Sequence, residues 1–532
     1  MPRSRLSRRA VLKTGLGVAG LIAAPALFGC TERRSWSQGD PFTLGVAAGD
    51  PSPDGFVLWT RLAPEPLSFD PATPGGMTDG RVQLGYEIAA DPSLRYIVRR
   101  GTALAGPEDA YSVHVEISGL MPGRPYWYRF FSGDATSPVG RAMTLPAADS
   151  QPDRLRFAFV SCANYEHGYF AAYRHLAEEE PDLVLFLGDY IYEYIDPRPG
   201  MVRRHSDGLD CVDLWTYRNR YAQYRLDPDL QRLHAAAPML MTWDDHEVQN
   251  DYAGEWSATF MPRELFLKRR AAAYRAFYEH MPVRPHRSHP DGPAMQLYDR
   301  FAFGDLAEIS MIDGRQYRSR EACYAPPNKG GGHLEGNESC PERLDPSRSM
   351  IGGAQEAWLF DGLARSSARW NILGQDVLMA QFRQRRPPDP ASGFWTDGWD
   401  GYPASRGRLL QQIHERGVRN AVVLSGDIHA FFANDLKPDF DDPRSPVVAT
   451  EFVGTSISSR GPNYDQFMAS IPDNPHMRFF DSRVRGYSTV DLTPGQMTVR
   501  FQALSDVADP RATVSTLRTF VVEDGRAGAA AG

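Results

Sequence analysis

The chain has 532 residues, 42% of them hydrophobic and 23% charged, with a formal net charge of −8. That length gives room for two or three domains, and the composition is that of a globular protein. The acidic balance argues against a nucleic-acid-binding surface, which needs an excess of Lys and Arg. It leaves a phosphorylated substrate open, because bound cations can supply positive charge locally.

Residues 7–13 read Ser-Arg-Arg-Ala-Val-Leu-Lys, close to a twin-arginine export pattern, and an apolar stretch from Gly15 to Gly29 follows. The stretch is too short to span a bilayer and suits a signal-peptide core. Residues 1–30 are therefore expected to be a signal peptide read by the twin-arginine export machinery, placing the mature protein in the periplasm or outside the cell. Leu27-Phe28-Gly29-Cys30 resembles a lipoprotein box, which would anchor Cys30 to a membrane. Ala24-Pro25-Ala26 resembles an ordinary cleavage site, and both readings stand. Twin-arginine export carries folded proteins, which suits a cofactor loaded before export.

Residues 31–41 read as a linker. From Phe42 to about Leu145, β-branched and aromatic runs (Gly55–Leu62, Val82–Ala90, Tyr111–Leu120, Tyr126–Ser132) alternate with Gly, Pro and Asp turns, predicting an immunoglobulin-like β-sandwich over 42–146. Beyond a polar boundary at 147–153, strands alternate with helices. The predicted strands are Leu155–Val160, Asp182–Leu187, Met239–Thr242, Ile309–Ile312, Asn371–Leu373, Ala421–Leu424 and Val447–Phe452. The predicted helices are Tyr169–Glu180, Glu264–His280, Ala354–Ala364 and Arg406–Glu415. This pattern predicts a layered α/β domain with two sheets over 154–505. Arg318–Arg348 and Arg383–Ser405 read as long loops, either site walls or insertions. Residues 506–532 read as a tail, disordered from Gly525. Cys323 and Cys340 bracket the first loop and are the expected disulfide in an oxidising compartment, while Cys211 has no evident partner.

Four motifs each follow an apolar run: Ser161-Cys162-Ala163-Asn164, Gly188-Asp189-Tyr190-Ile191-Tyr192-Glu193, Trp243-Asp244-Asp245-His246-Glu247 and Gly426-Asp427-Ile428-His429. Metal-ligand side chains just past several strand ends suggest one polynuclear site at the top of an α/β sheet, suited to metal-assisted phosphoester hydrolysis. Asp189 can bridge two cations. Cys162 alone would read as a small buried hydrophobe, but beside Asp189, Tyr192 and His429 it reads as a thiolate ligand. A tyrosine, with a reference pKa of about 10, ionises at neutral pH only beside a strong Lewis acid, so ferric iron suits this donor set better than zinc or magnesium. Asp245 is a candidate for a second cation, with Asn250 and Asp251 close behind, and His246 for a general acid. Asp427 and His429 are two residues apart and would face one side of an extended strand end. Oxygen-rich ligation at the second position favours calcium, magnesium or manganese. Arg218, Arg220, Arg315 and Arg318 are phosphate-binding types without individual support.

With these motifs and Trp399-Asp400-Gly401-Tyr402-Pro403, the chain resembles the PhoD-like alkaline phosphatases, a branch of the metallophosphoesterases. The resemblance implies a secreted hydrolase of phosphomonoesters and often diesters, using a metal-bound hydroxide at an Fe3+/Ca2+ site. It places iron on Cys162, Asp189, Tyr192 and His429, and calcium on Asp189, Asp245, Asn250 and Asp427. A phosphodiesterase or phospholipase D-type hydrolase is the alternative within the same chemistry. A non-catalytic exported envelope-binding protein is the alternative outside it.

Overall fold

The computed structural model describes residues 35–532 except 37–38, 69, 79, 286–294, 328 and 387–388. The signal segment, with Cys30 and the two cleavage readings, lies outside the described residues.

Two sheets carry the molecule. The first has ten strands, and at its centre Leu155–Val160, Leu183–Leu187 and Met239–Thr242 run parallel. The second has seven, with Ala307–Met311, Trp370–Gly374, Ala421–Ser425 and Ala449–Val453 parallel. Strands covered on both faces read as continuous apolar runs, and Leu183–Leu187 is one, buried at every position. Its alternate residues part company. Leu183, Leu185 and Leu187 join Ile309, Ile372 and Leu424 in the core between the sheets. Val184 and Phe186 face Tyr173, Tyr221 and Phe277 of the helices outside. On the far side of the second sheet, helices Gly352–Arg365 and Pro403–Arg416 bury Leu359, Leu409 and Ile413 against Leu373, Val423 and Val453. The layers are thus helix, sheet, sheet, helix, the two-sheet α/β sandwich expected from the alternation.

The predicted strands and helices of this region are present with ends shifted by a few residues, the ordinary uncertainty of helix and strand boundaries. Three helices were not anticipated, Leu214–Arg225, Pro228–Ala236 and the short Tyr464–Met468. The first buries Tyr, Arg, Asn and Gln alike, so it carries no apolar stripe to read. Cys323 and Cys340 are joined, with Cα atoms 5.9 Å apart.

Two expectations need correction and one is refined. The N-terminal β domain is present, with one of its two layers continuous with the larger sheet. Val46–Ser52, Gly55–Arg61 and Ser112–Ile117 extend the ten-stranded sheet, entering it where Gly49 pairs in parallel with Met239. Val82–Ala89, Ile97–Ala105, Pro125–Ser132, Ala135–Thr136 and Gly140–Met143 form a separate five-stranded sheet, packed on those strands through Phe56, Leu58, Leu84 and Phe130. The C-terminal residues are not a tail: Val514–Glu523 pairs antiparallel with Gln496–Leu504, and Ala530–Ala531 pairs back onto Phe520 and Val521. The reason is burial, since Phe520 and Val522 close one end of the core between the sheets. Finally, Arg383–Ser405 is not an open loop. It holds a hairpin (Gln384–Arg386, Asp389–Trp395), a short helical turn at Trp399–Gly401 and the start of the next helix.

Phe520 packs against Phe452, Phe501 and Phe479 at ring separations of 5.8, 5.4 and 5.7 Å. Phe520→Ala should therefore cost about 3–5 kcal/mol of stability, as for other large-to-small core changes. Urea unfolding checks this; an unshifted midpoint would mean that the C-terminal strand does not close the core.

Candidate metal centre

The central parallel strands of both sheets deliver their carboxyl ends to one cavity of about 430 Å³. Asp189, Asp245, His246, Asn250 and Asp251 reach it from the first sheet, and Asp427 and His429 from the second. At each strand end the backbone turns sharply. Cys162, Asp189, Asp427 and His429 have φ of 62°, 58°, 62° and 55°. Four non-glycine residues in the left-handed region at one site are stored strain, held by the surrounding structure. Asp427 and His429 thus reach the same cavity through left-handed turns and not along an extended strand. Gly188 (φ 95°) lies so close to Asp244 that a Cβ would sit 2.5 Å from its Cβ. At Gly426 a Cβ would meet Ser161 Oγ at 2.5 Å. Each glycine lets two motif loops touch.

The loops are then pinned together. The Glu247 carboxylate accepts from the backbone N–H of Asp189 (3.2 Å), Tyr190 (2.6 Å) and Asp244 (2.9 Å). The Gly188 and Asp189 carbonyls accept from Cys162 N and Ala163 N at 3.1 and 2.9 Å.

Two donor sets emerge. Ligand atoms of Cys162, Asp189 and His429 lie within 4.8 Å of one another, and so do those of Asp189, Asp245 and His246. Asp189 belongs to both, as a bridging carboxylate would. Tyr192 joins the first set: its hydroxyl donates to Asp189 Oδ2 at 2.7 Å, lies 3.0 Å from His429 Nε2 and accepts from Ser459 Oγ at 2.7 Å. His429 Nδ1 is 2.9 Å from the Arg460 carbonyl, which can only accept, so Nδ1 carries the proton and Nε2 turns its lone pair into the set. Asn250 lines the cavity, and its backbone N–H donates to Glu193 Oε1 at 2.8 Å.

These residues fit cations. Asp245 takes a hydrogen bond from Asp251 N on Oδ2, while its buried Oδ1 accepts none among the described residues. Burial pushes the Asp189 carboxyl well above its usual range, and neighbouring Asp245 and Glu247 push it the same way. Burial and then Asp397 drive Asp427 up to about 8. Burial and the Asp189 charge raise the Cys162 thiol. So much buried negative charge is tolerable only with protons or cations in place. His246 is the converse. Burial opposes its charge, but Asp245, Asp189 and Glu193 outweigh it, so the imidazole binds its proton tightly. Its Nδ1 meets Glu193 Oε2 at 2.7 Å.

The four arginines singled out by type all turn inward. Arg315 is fully buried, bonding Asp244 at 2.5 Å and Asp397 through both terminal nitrogens at 2.7 and 2.8 Å. Arg318 bonds Asp397 and the Gly314 carbonyl, Arg218 bonds Glu279, and Arg220 bonds the carbonyls of Tyr192 and Leu209. None is free to meet a phosphate. Sequence reasoning missed Asp397, which lines the cavity and holds Arg315 and Arg318. It sits in a Thr-Asp-Gly turn just past the hairpin strand Asp389–Trp395, in a segment read from the sequence as loop. The roles of Glu193 and Glu247 within their motifs were missed as well.

The profile of the PhoD-like phosphatase family matches residues 157–501, and that of its N-terminal domain matches residues 29–146. The chain belongs to the PhoD-like phosphatase family. It is 43% identical to alkaline phosphatase D of Bacillus subtilis (strain 168) over 524 residues, 97% of this chain and 86% of that one. A 143-residue stretch is 27% identical to purple acid phosphatase 15 of Arabidopsis thaliana, covering 26% of each. A solved structure described as the structure of PhoD superposes with a TM-score of 0.85 at 43% identity, covering 94% of this chain and 93% of that one. The protein is a phosphoric ester hydrolase, and the non-catalytic alternative gives way.

Because Asp189 is common to both donor sets, Asp189→Ala should empty both metal positions while circular dichroism stays that of the folded protein. Elemental analysis of the purified variant is the check. A full metal complement would show that the shared carboxylate is not needed.

Proposed function

We propose that this protein is an exported phosphatase acting at a mixed-metal centre, on phosphomonoesters and also on diesters. The observation that carries the reading is the convergence of two donor sets on the shared Asp189. Cys162, Asp189, Tyr192 and His429 would hold ferric iron, since thiolate and phenolate suit a strong Lewis acid. Asp189 and Asp245 of the second set would hold calcium together with Asn250 and Asp427, which line the same cavity, while His246 of that set keeps its proton. When bound, the cations supply charge neutralisation at phosphorus and activation of water.

The protein's own groups do the rest. Glu193 accepts from His246 Nδ1 and orients the ring. The rings of Tyr192 and Tyr194 flank His246 at 4.2 and 5.4 Å. His246 holds a proton for the departing alcohol oxygen. Leu378, Phe382, Trp395, Trp399, Ile428 and Phe467 give the cavity an apolar share of its wall. A bare phosphate has no use for such a wall, whereas the organic part of an ester does. That apolar side is what favours diesters, including those with lipid-like alcohols, as additional substrates.

Export rests on the signal segment and is supported by the disulfide, which suits an oxidising compartment. Among the described residues no helix is long and apolar enough to cross a membrane. Cell fractionation, with export-signal Arg8 and Arg9 changed to Lys, tests the compartment.

The purified protein should hydrolyse a chromogenic phosphomonoester and its matching diester at alkaline pH, lose both activities to a chelator and regain them with calcium. Chelator-resistant turnover would overturn the metal reading, and no turnover by iron- and calcium-loaded protein would overturn the substrate class. Glu193→Gln should lower kcat by about 10²-fold while leaving KM near its normal value, because the proton donor loses its orienting carboxylate and part of the charge that keeps it protonated. Steady-state kinetics separates the two constants.

A further inference from the structure

Six aspartates line the cavity (Asp189, Asp245, Asp251, Asp397, Asp400 and Asp427), against a single guanidinium, that of Arg460. The other arginines beside the cavity are spent. Arg315 and Arg318 serve Asp397, Arg406 serves Asp400 at 2.7 Å, and Arg485 serves the carbonyls of Ser459 and Ser482. Arg460 is different. Its side chain is exposed, and among the described residues the guanidinium forms no ion pair and one long hydrogen bond, 3.4 Å to the Gly200 carbonyl.

Its backbone, by contrast, is tied on both sides. The Arg460 N–H donates to His167 Nδ1 at 3.3 Å, and His167 Nε2 is held by Asp196 at 2.7 Å. The Arg460 carbonyl accepts from His429 Nδ1 at 2.9 Å. The residue that fixes the orientation of His429 therefore also lines the cavity and carries a guanidinium held by one long hydrogen bond. The next residue, Gly461, seats the turn, since a Cβ there would lie 2.6 Å from the Ser482 carbonyl. A fixed main chain with a free planar cation is a preorganised anchor for phosphate oxygens.

We infer that Arg460 anchors the non-esterified oxygens of a terminal phosphate and so sets the preference for monoesters over diesters. The inference rests on the phosphoester reading. At alkaline pH a monoester carries two negative charges and a diester one, and only the monoester has a third terminal oxygen to offer once two are engaged elsewhere. Deleting the side chain leaves the backbone bonds to His167 and His429 in place, so the fold and the orientation of His429 should survive.

The test compares the full-length, metal-loaded protein with Arg460→Ala and Arg460→Lys. 4-Nitrophenyl phosphate and bis(4-nitrophenyl) phosphate serve as substrates, and calorimetry measures binding of inorganic phosphate. In Arg460→Ala, kcat/KM for the monoester should fall about 10- to 100-fold, mostly through KM, and that for the diester less than about threefold, the scale of one charge-assisted hydrogen bond gained or lost. Phosphate affinity should fall with the monoester value, and Arg460→Lys should restore part of both. Equal losses on the two substrates, or no loss, would overturn the inference. If the parent protein turned over neither substrate, the phosphoester reading itself would fail, and the calorimetry would still decide whether Arg460 binds phosphate.

Discussion

Everything at the top of this fold is arranged around one electrostatic problem, the burial of many carboxylates in one place. Asp189, Asp244, Asp245, Glu247 and Asp397 are nearly inaccessible to water, and Asp427 is half-buried. Isolated ions of that kind cost many kcal/mol to bury, so each must be protonated, hydrogen-bonded or paired. The structure divides the task. Glu247 is satisfied by three backbone amides. Asp244 and Asp397 are neutralised by the buried Arg315. Asp189, Asp245 and Asp427 face the cavity, where Asp189 and Asp245 share the charge of His246, Arg315 reaches Asp245 only at 3.9 Å, and among the described residues Asp427 has no ion pair. Permanent counter-ions are built in behind the site, and exchangeable ones are left for the front.

That division explains why the strand ends are strained. A carboxylate on a regular strand would point into the covering helices or the facing sheet, both apolar. Turning the chain through the left-handed region at Cys162, Asp189, Asp427 and His429 swings the donor atoms out of those layers into the gap where the sheets' ends meet. The strain is held by the backbone bonds between loops and by the two glycines that let the loops touch. Such turns are harder to deform than flexible loops, and cation geometry demands that stiffness.

How much of this was legible in the sequence follows the same lines. Strands buried on both faces announce themselves as apolar runs, so Leu183–Leu187 and Ala421–Ser425 were readable, and so were the ligands a fixed step beyond them. The conformation of those ligands was not, because spacing alone treats Asp427 and His429 as an extended pair while their φ angles are positive. Asp397 was invisible, since its role depends on a guanidinium 82 positions away in the chain. The helix Leu214–Arg225 hid for a related reason: it buries polar side chains on several faces, Arg218 on a carboxylate, Arg220 on carbonyls and Arg225 over the Trp59 ring, which removes the stripe that periodicity needs. The C-terminal strand was masked by the small residues after it, although Phe520 and Val522 alternate as a half-buried strand should. Sheet membership of Val46–Ser52 could not be read at all, because nothing local distinguishes a strand that closes a small sandwich from one that continues a larger sheet.

The inward arginines carry the last step. Arg315, Arg318 and Arg220 sit near the site in sequence terms, yet each is fully buried and bonded. An arginine chosen to hold the scaffold must be desolvated and matched by carboxylates or carbonyls, and that same matching removes it from substrate. An arginine chosen to meet an anion must keep its guanidinium hydrated and unmatched until the anion arrives, while its main chain is held still. Near this cavity the first condition describes the arginines that residue type alone picked out. The second describes Arg460, which follows a run of Ser and Gly residues that no motif marked. Accessibility of the head group, and not proximity to a ligand motif, is what separates a counter-ion of the protein from a counter-ion for its substrate.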